Sequence, residues 1–176
     1  MLAGALPRET LPGPERHLAC IQGHVPEVSA SIKDHVAVTL AQLGTVGGPL
    51  EAAASTDIPR TVDQIVAKIL APDVTWHRWA SLGSRLTMLA EASPSAFLKA
   101  IKADLANPDP ELPVLFQDEG DSFFSRCNHA GLLWALEKLA WSKSLLPDVC
   151  RILLQLDERD TGNRFANRPR ESLGQI

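Results

Sequence analysis

The spacing of apolar residues is the feature that most restricts this chain. From Val28 to Leu156 they recur every three or four positions, and no convincing two-residue alternation interrupts them. That rhythm lines one face of a helix, whereas a half-buried strand needs alternation. The expectation is an all-α fold with no significant sheet. Its form is an irregular, α-solenoid-like array of antiparallel helical hairpins, because no strict fixed-length repeat is visible.

Glycine and proline divide the array. Residues 1–26 are rich in both and form a separate N-terminal segment, with at most a short helix at Arg16–Gln22. Residues 27–176 form the array. Val28, Ile32, Val36, Leu40 and Leu43 predict a first helix, closed by Gly44 as a C-terminal cap and broken by Gly47, Gly48 and Pro49. Val62, Ile65, Val66, Ile69 and Leu70 predict a second, Pro59–Leu70, stopped by Pro72.

Asp73–Glu91 reads as one bent helix or two short ones, weakest at Gly83. Ser93-Pro94 is a strong start signal: the hydroxyl caps free amides, and proline's φ is already helical. Phe97, Leu98, Ile101 and Leu105 continue that helix, which Asn107 and Pro108 stop.

The stretch 107–127 is a long acidic loop with an apolar patch, Leu112–Phe116, and a Phe123-Phe124 pair; a short helix is expected somewhere inside it, with the aromatics against the core. Asn128 is the expected cap of a helix from His129 to Trp141. Leu132, Leu133, Leu136, Leu139 and Ala140 would face inward, and Trp134 would be buried as a bridge to a neighbouring helix. Ser144 is the expected cap of the next helix, which ends near Leu156, and a further helix begins near Arg170. That last helix has barely two turns, so the C-terminus reads as truncated. The chain is then expected to self-associate or to fray over Arg164–Ile176.

Composition narrows the function classes. Asp and Glu (21) outnumber Lys and Arg (17), and no long basic run occurs, so nucleic acid is a poor partner. Neither a secretory signal nor an apolar stretch of about 20 residues is present, so no membrane role is expected. Three cysteines without short metal-ligand spacing fit a reducing compartment, the cytoplasm.

No catalytic, cofactor or metal motif is legible. Trp76-His77-Arg78-Trp79 has the composition of a stacking site, but tryptophans three apart on a helix serve the core, with His77 and Arg78 turned to water. Cys127-Asn128-His129 invites a nucleophile or metal reading, against which a half-buried thiol beside a cap is the simpler one. His17, Cys20 and His24 have suggestive spacing but no supporting fourth ligand. Asp157, Glu158 and Asp160 before Gly162 lack the alternating ligands of a calcium loop.

Arg164, Asn167, Arg168 and Arg170 form the one candidate partner-binding cluster. Nearby Asp157, Glu158, Asp160 and Glu171 nearly cancel its charge, and intramolecular bonding to helix carbonyls is the favoured use.

From Trp76 onward the chain resembles the helical-repeat portion of large bacterial multidomain proteins similar to STAND-type NTPases of anti-phage defence. Trp79-Ala80-Ser81-Leu82, Leu89–Leu98, His129–Trp141 and Asn167-Arg168-Pro169 carry this resemblance. In that family the pattern after Asn-Arg-Pro continues into another helix, and a nucleotide-binding module lies nearer the N-terminus. The resemblance implies a fragment serving as a non-enzymatic scaffold or sensor segment. It would contact a protein partner or the remainder of a larger chain, without a cofactor. A nucleic-acid-binding domain using Arg164–Arg170, and an enzyme of unrecognised type, are the alternatives.

Overall fold

The computed structural model of the protein describes residues 28–51, 57–71, 73–117, 127–160, 162 and 167–176, without the side chains of 48–51. The described residues form eight α-helices and a 3-10 helix, and no strand occurs among them. In chain order the helices are α1 (Ala30–Glu51), α2 (Ile58–Ile69), α3 (Trp76–Leu82) and α4 (Arg85–Ala92), then α5 (Pro94–Leu105), α6 (Ala130–Ala140), α7 (Leu146–Arg159) and α8 (Pro169–Gln175). The 3-10 helix, Leu112–Phe116, lies between α5 and α6.

Three consecutive pairs, α1/α2, α4/α5 and α6/α7, stack in two rows. α4 adjoins both α1 and α6 in the first row, and α5 adjoins both α2 and α7 in the second. Each helix thus buries an apolar stripe against both its pair-mate and a neighbouring pair. The core runs through all three pairs, from Ala37, Val62 and Val66 through Leu86, Leu89, Phe97 and Ile101 to Leu132, Leu136 and Ile152. α8 packs on α7 and α6 at one end.

The starts of α2 and α5 follow local chemistry. Ser93 accepts a hydrogen bond from the Ala96 amide at 3.2 Å, with Pro94 in the first turn. Its hydroxyl donates to the Asp63 carboxylate of α2 at 2.5 Å, tying two pairs together. Asp57 caps α2 through the Arg60 amide at 2.8 Å.

The glycines behave in two different ways. Gly83, at φ 50°, ends α3 and separates it from α4, as its weak helix propensity predicts. Gly44 was expected to end α1, yet the helix continues to Glu51. The reason is tertiary. A Cβ at Gly44 would lie 2.0 Å from the Ala92 carbonyl oxygen, so this glycine lets α1 touch the end of α4.

Three further expectations change. Asn128 and Ser144 are not the N-cap residues: α6 and α7 begin behind His129 and Leu145, neither of whose side chains makes a cap bond. Trp134, expected in the core, is 53% exposed. The buried residues of α6 include Leu132, Leu133, Ala135, Leu136, Leu139 and Ala140. At 3.6 residues per turn these six fill an arc centred directly opposite Trp134.

The short helix expected in the acidic loop is present as the 3-10 helix, with Leu112, Leu115 and Phe116 buried. Phe123 and Phe124 lie outside the described residues. Burial and two backbone bonds shape its start. Asp104 accepts from the amides of Glu111 (3.1 Å) and Leu112 (3.0 Å), and Glu111 accepts from the Trp76 amide at 2.9 Å. Burial raises the Asp104 pKa above its ordinary value, although these amides pull it down.

Candidate functional site

Where it is described, the cluster read as a partner-binding site also makes bonds within the fold, Arg168 more closely than the exposed Arg170. Arg164 lies outside the described residues. Arg168 donates through Nε to Asp160 at 2.8 Å, and the Asp160 side chain is fully covered. Hydrogen bonding and charge attraction from Asp160 raise the Arg168 pKa. The Arg168 amide donates to the Glu171 carboxylate at 2.8 Å, which closes the first turn of α8. Arg170 reaches Asp157 at 3.2 Å. These pairs fasten α8 to the end of α7, with each guanidinium already facing a carboxylate.

Asn167 contributes through its backbone. Its carbonyl oxygen lies 2.6 Å from Nε2 of His129. The His129 ring is buried, stacks on Phe116 at 4.7 Å between centroids, and has Nδ1 3.2 Å from the Leu115 carbonyl. One imidazole therefore joins the 3-10 helix, the start of α6 and the approach to α8. Cys127 Sγ lies 3.2 Å from the same Nε2. Burial raises the Cys127 pKa above its ordinary value, although the His129 and Ala130 amides that bond the sulfur pull it down. The constellation is a rivet. Among the described residues no group of three His, Cys, Asp or Glu is placed to hold a metal ion. His17, Cys20 and His24 lie outside the described residues.

The Trp76–Trp79 string divides unevenly. Trp79 is buried against Phe97, edge to face at 6.4 Å. Trp76 is only half-buried and stacks on His77, and neither His77 nor Arg78 is fully exposed. Trp79 lies in the core and Trp76 packs on its edge.

The feature that sequence reasoning misplaced is the outer face of α6. Trp134 is 53% exposed and Trp141, at the helix end, is 90% exposed. Seven residues apart, they share one face two turns apart, with Lys138 between them. Neighbouring helices hold this ridge on both flanks. Lys138 pairs with Glu91 of α4 at 2.5 Å, and Glu137 accepts from the Ser172 hydroxyl of α8 at 2.6 Å. Beside Trp141 is a hollow of about 300 Å³, lined by Glu137, Ala140, Trp141, Gln175 and Ile176. A helical-wheel projection of α6 would have shown that six apolar residues already fill the core arc, leaving both indoles outside it.

A larger groove, about 470 Å³, runs between α2 and α5 over Ala67, Leu70, Ala96 and Ala100, with Asp63 and Lys99 at its rim. No helix among the described residues is long and apolar enough to cross a membrane.

Comparison with known proteins brings no match: no family model, no curated protein and no solved structure is significantly similar to the chain.

Proposed function

We propose that this chain is a non-enzymatic helical scaffold that docks a protein through the outer ridge of α6. One observation carries the reading: Trp134 and Trp141 stand exposed on the same face of a well-packed helix. Tryptophan is enriched where binding energy concentrates in interfaces, because one rigid ring removes much apolar area from water at low entropic cost. The stacked pairs behind the ridge hold it in place without needing a ligand.

The nucleic-acid alternative has less support, since Arg168 and Arg170 face Asp160 and Asp157. The resemblance to defence NTPases makes a larger bacterial signalling protein the natural setting for such a module, and the free thiols of Cys127 and Cys150 suit the cytoplasm.

Site-specific photo-crosslinking tests the docking role. A photoreactive residue at position 138 is expected to give a covalent protein adduct in cells, while one at Ile65, exposed on α2, gives none. Replacing both Trp134 and Trp141 with serine should abolish the adduct. Equal labelling from both positions, or none from 138, refutes the role.

A further inference from the structure

The ridge of α6 is self-complementary. Building on the docking role, we propose that its occupant is a second copy of this chain, paired antiparallel about a two-fold axis at Glu137 and Lys138.

The geometry begins with spacing. Trp134 and Trp141 are separated by about 10.5 Å at 1.5 Å per residue, and their midpoint falls between positions 137 and 138. A two-fold axis there, across the helix, exchanges the two ends. Each Trp134 then meets Trp141 of the other copy, so one contact is made twice, as closed symmetric pairing demands.

Shape agrees with that register. The hollow of about 300 Å³ adjoins Trp141, not the middle of the ridge. In the antiparallel pair the indole of Trp134 from the other copy arrives at this hollow. Its size is at the bottom of the range for small-molecule pockets and suits a single bulky side chain.

Charge favours the approach. The register that sets Trp134 against Trp141 also sets Lys138 against Glu137 of the other copy, so opposite charges meet on either side of the axis. Glu91 accompanies each ammonium at 2.5 Å, so no uncompensated cation is brought into the contact. Glu137, on the same turn, is occupied by the Ser172 hydroxyl.

Area sets the strength. A tryptophan covers up to about 250 Å². At 53% and 90% exposure, the two indoles offer roughly 350 Å² per copy, or about 700 Å² per pair. Ile176, 42% exposed, Gln175 and the stem of Lys138 extend the contact towards the ~1,200 Å² at which stable interfaces begin. The pair is therefore weak and reversible.

Sedimentation velocity of the full chain from low micromolar to several hundred micromolar tests the proposal. A monomer–dimer equilibrium is expected. Trp134→Ser and Trp141→Ser should each weaken it at least about tenfold, with circular dichroism unchanged because both rings lie outside the core. Ile65→Ser, on a different face, should leave it intact. A monomer at every concentration, or a dimer indifferent to both tryptophans, overturns the pairing. A monomer that still forms the position-138 adduct with another protein overturns only the second copy as occupant. A monomer with no adduct removes the docking role as well.

Discussion

Replacing Trp79, Trp134 and Trp141 by alanine, one at a time, separates core from ridge in a single experiment. Trp79 is 2% exposed, so nearly all of its roughly 250 Å² leaves water on folding. At about 25 cal/mol per Å² that burial is worth about 6 kcal/mol at most, and the alanine left behind keeps part of it. Measured large-to-small tryptophan substitutions cost about 3–5 kcal/mol, which includes the lost edge-to-face contact with Phe97.

Trp134 buries about half as much, and alanine recovers some helix propensity, so its loss should be about 1–2 kcal/mol. Trp141 buries about 25 Å² and should cost less than about 1 kcal/mol. Urea unfolding at low micromolar concentration, below the proposed dimer, reads these directly. With a slope of about 2 kcal/mol per molar, Trp79→Ala should lower the midpoint by about 1.5–2.5 M and Trp141→Ala by under about 0.5 M. Equal shifts for Trp79 and Trp141, or a larger one for Trp134 than for Trp79, would refute this assignment of inside and outside.

Gly44→Ala should destabilise by about 1–3 kcal/mol in thermal or urea unfolding, although the same change in an exposed helix stabilises by about 1 kcal/mol, because the new Cβ meets the Ala92 backbone. Asp104 has a folded pKa above its unfolded value, so its contribution is fully present below the unfolded pKa and is lost as pH rises through the folded one. Unfolding measured across that window should show Asp104→Asn removing a component of stability that declines with rising pH; a component that instead grows with pH would contradict the burial argument. Arg168→Ala should release α8 locally, raising amide exchange across 169–175 about five- to tenfold while the centre of α6 stays protected, as hydrogen exchange would show. Cys127 should resist alkylation by iodoacetamide near neutral pH and react appreciably only under more alkaline conditions than a free thiol, because burial raises its pKa.

Local chemistry and period determined a large part of this protein from sequence alone. The helical class follows from apolar spacing, the start of α5 from Ser93-Pro94, the break at Gly83 from its lack of a Cβ, and the inward residues of α6 and α7 from the 3.6-residue repeat. Each depends on interactions within a few residues of the chain, so no neighbour is needed to infer it.

The remainder depended on what lies across the gap between helices. Gly44 has the same composition-level signal as a helix stop, and only the closeness of Ala92 makes it a crossing point inside α1. The helical period already sets Trp134 opposite the six apolar residues of α6, and packing decided only that its outer face stays 53% exposed. The arginines around 168 carry a full positive charge in sequence, and folding α8 onto α7 sets Asp160 and Asp157 against them. Partner choice is a long-range property, made by packing after each helix has formed, and a one-dimensional pattern records the helix without recording what stands beside it.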